Sequence, residues 1–122
     1  TLSKASAQHV NSGTITLLSN NLTVTQSGTS PSFTNTGTIT LATGRTLTVN
    51  GGVLDLTAGA LSAETATLSL SGVTLSITPS TARARFNFGS GSTLVGPYTV
   101  PAGDSLQLFG GTLNGAGLTL EG

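Results

Sequence analysis

Residues 11–17, Asn-Ser-Gly-Thr-Ile-Thr-Leu, return almost unchanged as residues 35–41, Asn-Thr-Gly-Thr-Ile-Thr-Leu. The Leu22-Thr23-Val24 that follows the first copy returns as Leu47-Thr48-Val49 after the second, one position later than the first motif predicts. The period is thus about 24 residues, in the range that marks structural repeats. Each copy runs on to a glycine turn, Ser27-Gly28 in one and Gly51-Gly52 in the other. A fixed period between about 20 and 50 residues marks a solenoid or array, in which one unit cannot cover its own apolar face and stacks a neighbour on it. The alternative for many short strands at regular spacing is a β-sandwich. A sandwich gives no reason for one short motif to recur, whereas a solenoid places equivalent positions directly above one another.

Within each copy apolar residues alternate with Thr or Ser, as in Thr14-Ile15-Thr16-Leu17 and Thr46-Leu47-Thr48-Val49, and the alternation continues in Thr67-Leu68-Ser69-Leu70 and Thr74-Leu75-Ser76-Ile77. A period of two is the pattern of a strand with one covered face. The runs are short and end at Gly, Asn or Pro, for example Asn20-Asn21, Gly72, Pro79 and Gly96-Pro97. The expected fold is all-β, a parallel β-helix (β-solenoid) with three short strands in each turn of about 24 residues. Its first rung uses residues 14–17, 22–25 and 32–34, its second 38–41, 46–49 and 53–56, and a looser third 60–61, 67–70 and 74–77. Residues 85–88, 93–95 and 98–100 make a fourth, and 106–108, 112–113 and 118–120 a fifth. The repeats occupy residues 11–122 and match best over 11–77, with residues 1–10 a lead-in or cap, either a short helix or a strand. The core is a column of Ile15, Ile39, Leu17, Leu41, Val24, Val49, Phe33 and Leu54. Asn11 above Asn35 sets up a ladder of side-chain amides one strand spacing, about 4.8 Å, apart.

Only 7% of the residues are charged, against roughly 25% in an ordinary soluble domain. Lys4, Arg45, Arg83 and Arg85 balance Asp55, Glu64, Asp104 and Glu121, so neither sign forms the patch that a nucleic-acid backbone requires. A mean hydropathy of +0.25 excludes charge-driven disorder. The chain has no Cys, no Met, no Trp and a single His, which removes thiol chemistry, disulfides and most metal-site recipes, and no cofactor is expected. No run approaches the ~20 apolar residues of a membrane span, and Thr1-Leu2-Ser3-Lys4 lacks the basic and hydrophobic regions of a signal peptide. Without an initiating Met the chain reads as processed or excised.

The four acids are scattered, whereas glycosidases and lyases need paired carboxylates, so no catalytic residue is assigned and no enzyme is expected. Asp55 is expected to point outward and form a surface ion pair with Arg45. His9, with no acid or hydroxyl pattern around it, reads as a solvent-exposed residue ahead of the first rung. Arg83-Ala84-Arg85 is the one local cationic cluster. With an exposed aromatic from Phe86-Asn87-Phe88 beside it, it offers bidentate hydrogen bonds to a carboxylated or sulfated glycan. The simpler expectation is that both arginines face solvent and guard an apolar strand against aggregation. If Ile15 and Ile39 point inward, Thr14, Thr16, Thr38 and Thr40 stack outward in two columns, extended on another face by Thr23, Thr25, Thr46 and Thr48. Such an array orders water and resembles those of some ice-binding proteins, although Thr is also the polar residue best suited to the wet side of a strand.

At the Asn-x-Gly-Thr-Ile-Thr-Leu repeats, at Gly44-Arg45-Thr46-Leu47-Thr48-Val49-Asn50-Gly51-Gly52 and at Leu113-Asn114-Gly115-Ala116-Gly117-Leu118-Thr119-Leu120, the chain resembles the β-helical repeats of large bacterial secreted adhesins. These are the filamentous-haemagglutinin-like and autotransporter passenger families. The resemblance covers residues 11–77 well and the remainder loosely. It implies a right-handed parallel β-helix, export to the bacterial cell surface, and a non-enzymatic role as stalk, adhesin or matrix component. Such passengers are much longer, so this chain is expected to be a fragment or a self-stacking subunit. Solenoid ends carry unpaired N–H and C=O groups that template further strands, and neither end shows a charged or helical cap. Two structural functions follow, a segment of an extracellular adhesin or stalk and a subunit of a self-assembling filament, with an ice- or glycan-binding solenoid as a third. The expected partners are further copies of the chain, through ends or edges, and a host or cell-surface glycan or protein. The scarcity of charge favours self-association, because little repulsion keeps the ends apart.

Overall fold

The computed structural model describes residues 1–78, 82–100, 102, 106–114 and 118–120. They contain no helix. The strands are β1 (Gln8–Asn11), β2 (Thr14–Leu17), β3 (Leu22–Thr25), β4 (Ser32–Asn35), β5 (Thr38–Leu41), β6 (Thr46–Asn50), β7 (Val53–Leu56), β8 (Ala60–Ser71), β9 (Thr74–Ile77), β10 (Ala82–Phe88), β11 (Thr93–Val95), β12 (Tyr98–Val100), β13 (Leu106–Leu108), β14 (Thr112–Asn114) and β15 (Leu118–Leu120). Strands adjacent in sequence do not pair. Instead β1, β4, β7, β9, β11 and β14 form a six-stranded sheet in that order; β2, β5, β8, β10 and β13 form a second with β3 and β6 beside them, and β12 pairs with β15. A chain that returns to the same sheet after each circuit, always in parallel, is a coil, so the architecture is the β-solenoid and not the sandwich.

Register follows the repeat. Thr14-Ile15-Thr16-Leu17 lies over Thr38-Ile39-Thr40-Leu41, and Leu22-Thr23-Val24 over Leu47-Thr48-Val49. Because side chains alternate faces along a strand, this alignment stacks like on like, apolar inward and hydroxyl outward. Val24, Phe33, Ile39, Leu41, Val49 and Leu54 are buried, while Ile15 and Leu17 are half-buried against the same core. All eight residues of the expected column therefore share one interior.

The circuit is not constant in length. Asn11 and Asn35, hydrogen-bonded across the first circuit, are 24 residues apart, whereas Val73 and Ser92, bonded across a later one, are 19 residues apart. One column, in which His9, Phe33, Leu54, Leu75, Leu94 and Leu113 pair in succession, passes through the whole change. The expected turn length holds for the first circuit, and the coil then tightens at two corners. Residues 26–31 separate β3 from β4, whereas Gly51 and Gly52 alone separate β6 from β7. Residues 18–21 and 42–45 bend the first two circuits between their first and second sides, but β8 runs through the equivalent corner. In β10 the corner vanishes, and the register with β8 jumps from Ala84↔Ala63 to Arg85↔Thr67.

Residues 1–10 adopt the strand form of the two expected. Thr25 N–H donates to Leu2 O (2.8 Å) and Leu2 N–H to Thr23 O (2.9 Å), which lays Leu2 beside β3. The chain then turns at Ser6, whose φ is 54°, and enters β1 on top of β4.

Candidate functional site

The repeated Asn-x-Gly corner is the best-built polar feature. Asn11 Nδ2 donates to Asn35 Oδ1 at 2.8 Å, the amide ladder expected from the stacked motif. Asn35, fully buried, donates in turn to Gly37 O (3.2 Å) and Ala60 O (3.1 Å). One side chain thus ties three successive circuits together, and its role is structural. Asn35→Ala would remove from a buried corner the acceptor of Asn11 and the donor to Gly37 O and Ala60 O, at about 2–3 kcal/mol in urea unfolding. Asn11→Ala leaves Asn35 Oδ1, on a fully buried side chain, without its donor, and should cost about 1–2 kcal/mol in urea unfolding.

The threonine columns form as expected but end early. Thr14 lies over Thr38 and Thr16 over Thr40, with Thr14 and Thr16 exposed and Thr38 and Thr40 half-buried. One circuit later their places are taken by Ala60 and Ser62. On the neighbouring side Thr23 lies over Thr48 and Thr25 over Asn50, while Thr46 and Thr48 lie over Thr67 and Ser69. The outward face is hydroxyl-rich without being a regular lattice.

The cationic cluster takes a different form from the one expected. Arg83 and Arg85 both stand on β10, opposite Ser62 and Thr67, and Arg85 is exposed. Phe86 and Phe88, however, are buried at 1% and 0% exposure, so neither ring is available to a sugar. Asp55 does not pair with Arg45. Its Oδ1 accepts from Thr57 N–H (2.9 Å) and Thr57 Oγ1 (2.7 Å), a local turn that outcompetes a longer reach. Arg45 Nη1 donates instead to Ser19 O at 2.7 Å. His9 is likewise not a solvated side chain: it is half-buried in register above Phe33, with Nε2 enclosed and without a hydrogen-bond partner among the described residues. Asp104 and Glu121 lie outside the described residues. Among the described residues no group of acids and histidines is placed to hold a metal ion, and no helix is long and apolar enough to cross a membrane.

What remains is the pair of solenoid ends. Among the described residues β2 pairs only with β5, and β1 only with β4. Thr38 N–H donates to Gly13 O and Ala42 N–H to Leu17 O, each at 2.9 Å. Backbone groups of alternate residues in a parallel strand serve opposite neighbours, so Thr14, Thr16 and Leu18 direct theirs to the open side. The same edge is apolar. Ile15 is half-buried where Ile39, the identical residue one circuit on, is 1% exposed. Leu18 is 70% exposed, and it lines with Thr16, Leu17, Ser19 and Asn20 an open cleft of about 360 Å³. At the other end, among the described residues, β13 pairs with β10, β14 with β11 and β15 with β12. No family model, curated protein or solved structure matches the chain.

Proposed function

We propose that the chain is a non-enzymatic structural length of β-solenoid in a bacterial surface adhesin or passenger stalk, working outside the cell as a spacer. The observation that carries this reading is the inner column, which runs through every described circuit. Each circuit adds about 4.8 Å of axial length through backbone hydrogen bonds parallel to the axis, so force along the stalk is shared by whole ladders. The resemblance of the repeats to adhesin passengers supports the extracellular setting. A second structural reading, a subunit of a self-assembling filament, is favoured by a separate observation, the free backbone groups of β2. Exposed Arg85 supports at most an accessory contact with an acidic glycan, and the two-circuit threonine array supports ice binding less.

The expected outcome with polyuronates, chitin and sulfated glycans is no turnover, followed by reducing-end release and by absorbance of unsaturated products. Turnover of any of them would overturn the structural reading. Retention of the chain on a sulfated-glycan column that is lost in Arg85→Ala would add an adhesive contact to the spacer.

A further inference from the structure

Phe86 and Phe88 are enclosed, but another ring stands outside, one strand away. Phe109 is 65% exposed. Its N–H donates to Phe88 O at 2.6 Å, which continues the ladder in which Phe88 pairs with Leu108. Phe109 thus stands opposite Gly89, a residue with no side chain to cover it. Two positions back Gln107 pairs with Asn87, and two positions before Asn87 comes Arg85. Residues two apart on a strand share a face. Arg85, Asn87, Gln107 and Phe109 therefore look out from one face of two adjacent strands, with Arg85 and Gln107 exposed and Asn87 half-buried. Four residues along the strand and one strand across place Arg85 and Phe109 about 14 Å apart.

The polar side chains at the corners are already engaged: Asn11, Asn35, Gln26 and Arg45 each donate to a neighbouring circuit. The side chains of Arg85, Asn87 and Gln107 make no hydrogen bond to another described residue. The next strand of the same face adds hydroxyls, Thr67 beside Arg85 and Ser69 beside Asn87. Among the described residues this face carries one cation and no acid. We propose that the strip from Arg85 to Phe109 binds an oligosaccharide that bears a single carboxylate. The Arg85 guanidinium grips the carboxylate at two points. The Asn87 and Gln107 amides, each both donor and acceptor, take sugar hydroxyls, and Phe109 stacks on the apolar side of a ring further along. A lone cation among uncharged amides decides the class of ligand, because a polysulfated chain would lay most of its charge against groups that cannot neutralise it. The strip faces sideways from the coil, so it serves one chain or a longer stalk equally. The proposal identifies the remainder of the accessory contact at Arg85 and rests on the structural reading, in which the ligand is held and not cleaved.

The test is a titration of the 122-residue chain with sialyllactose, a trisaccharide with one carboxylate, followed by backbone amide shifts in NMR. Lactose and a heparin hexasaccharide are titrated alongside. Shifts are expected over residues 85–89 and 106–109 and not in β4 or β7, with a Kd of about 0.1–1 mM, as a flat face without a pocket gives. Lactose should bind at least about tenfold more weakly, and the heparin hexasaccharide no more tightly than sialyllactose. Arg85→Ala and Phe109→Ala should each weaken binding about fivefold to tenfold. Lys4→Ala removes an equal charge from another exposed place and should leave binding unchanged. Should a variant fail to fold, the shift map and the three ligands decide. No shift at about 10 mM, shifts that map elsewhere, equal binding of lactose or tighter binding of heparin would each overturn the proposal. So would a folded Arg85→Ala or Phe109→Ala that binds as the wild type does, or a loss in Lys4→Ala as large as in Arg85→Ala. Release of lactose from sialyllactose, visible in the same spectra, would instead overturn the structural reading.

Discussion

Gly37→Ala is expected to destabilise the protein by about 3 kcal/mol or more, and Gly13→Ala, at the same place in the same motif, to stay within about 0.5 kcal/mol of wild type. A β-carbon on Gly37 would run into Gly13 O and lie 2.8 Å from Ser12 C and 2.9 Å from Gly13 N. All three are backbone atoms, and Gly13 O is held in place by Thr38 N–H at 2.9 Å. No rotamer change relieves the clash, so the corner must separate from the circuit above it and give up ladder hydrogen bonds. Gly13 has no atom within 4 Å of the equivalent position, because no described circuit lies above it. Urea and thermal unfolding of the two variants check the contrast, with Gly37→Ala melting roughly 10–20 °C below wild type. Equal effects from both would mean that the two copies of the motif are not stacked as described.

That contrast also locates the limit of what repeats reveal. Asn11-Ser12-Gly13 and Asn35-Thr36-Gly37 are nearly the same residues, and their likeness announces stacking, the in-register Ile15 and Ile39, and the amide ladder. Position within the stack is not a property of the motif, so the exposure of Ile15 and the crowding of Gly37 emerge only in three dimensions. The tightening of the later circuits is hidden for a related reason. It depends on which corners are dispensable, and a strand that passes through a corner, as in β8 and β10, carries no glycine or proline to announce it. Other features were within reach. Alternation along Arg85-Phe86-Asn87-Phe88 already puts both rings on the face away from Arg85, and the structure buries them. The same rule applied to Gln8-His9-Val10-Asn11 turns His9 to the same side as Asn11. Asp55 went to Thr57, two residues along, because a short loop closes at less entropic cost than an interaction with Arg45 across a corner.

Phe86→Ala is expected to cost about 3–5 kcal/mol, and to do so at one end of the molecule. Phe86 is 1% exposed, lies in register with Leu68, and meets Tyr98 edge-on at 5.6 Å and Phe88 at 6.2 Å between ring centroids. Together with Leu75, Ile77 and Leu94 these rings leave no room for a water molecule, so removing one opens an apolar cavity that stays empty. A loss of this size is a large part of the roughly 5–15 kcal/mol that holds a typical domain. In a solenoid each circuit contacts only its neighbours, so stability is nearly a sum of local terms and the damage stays local. Hydrogen exchange should therefore show protection lost in β10–β12 while β4–β7 keep theirs. Gly37→Ala should produce the reverse pattern, with exchange raised in β1, β2 and β5 and little changed in β11. Phe109→Ala is the control: its ring is 65% exposed, and its removal should cost under about 0.5 kcal/mol. Uniform loss of protection in Phe86→Ala would show that the chain unfolds as one cooperative block, and that the circuits do not carry their stability separately.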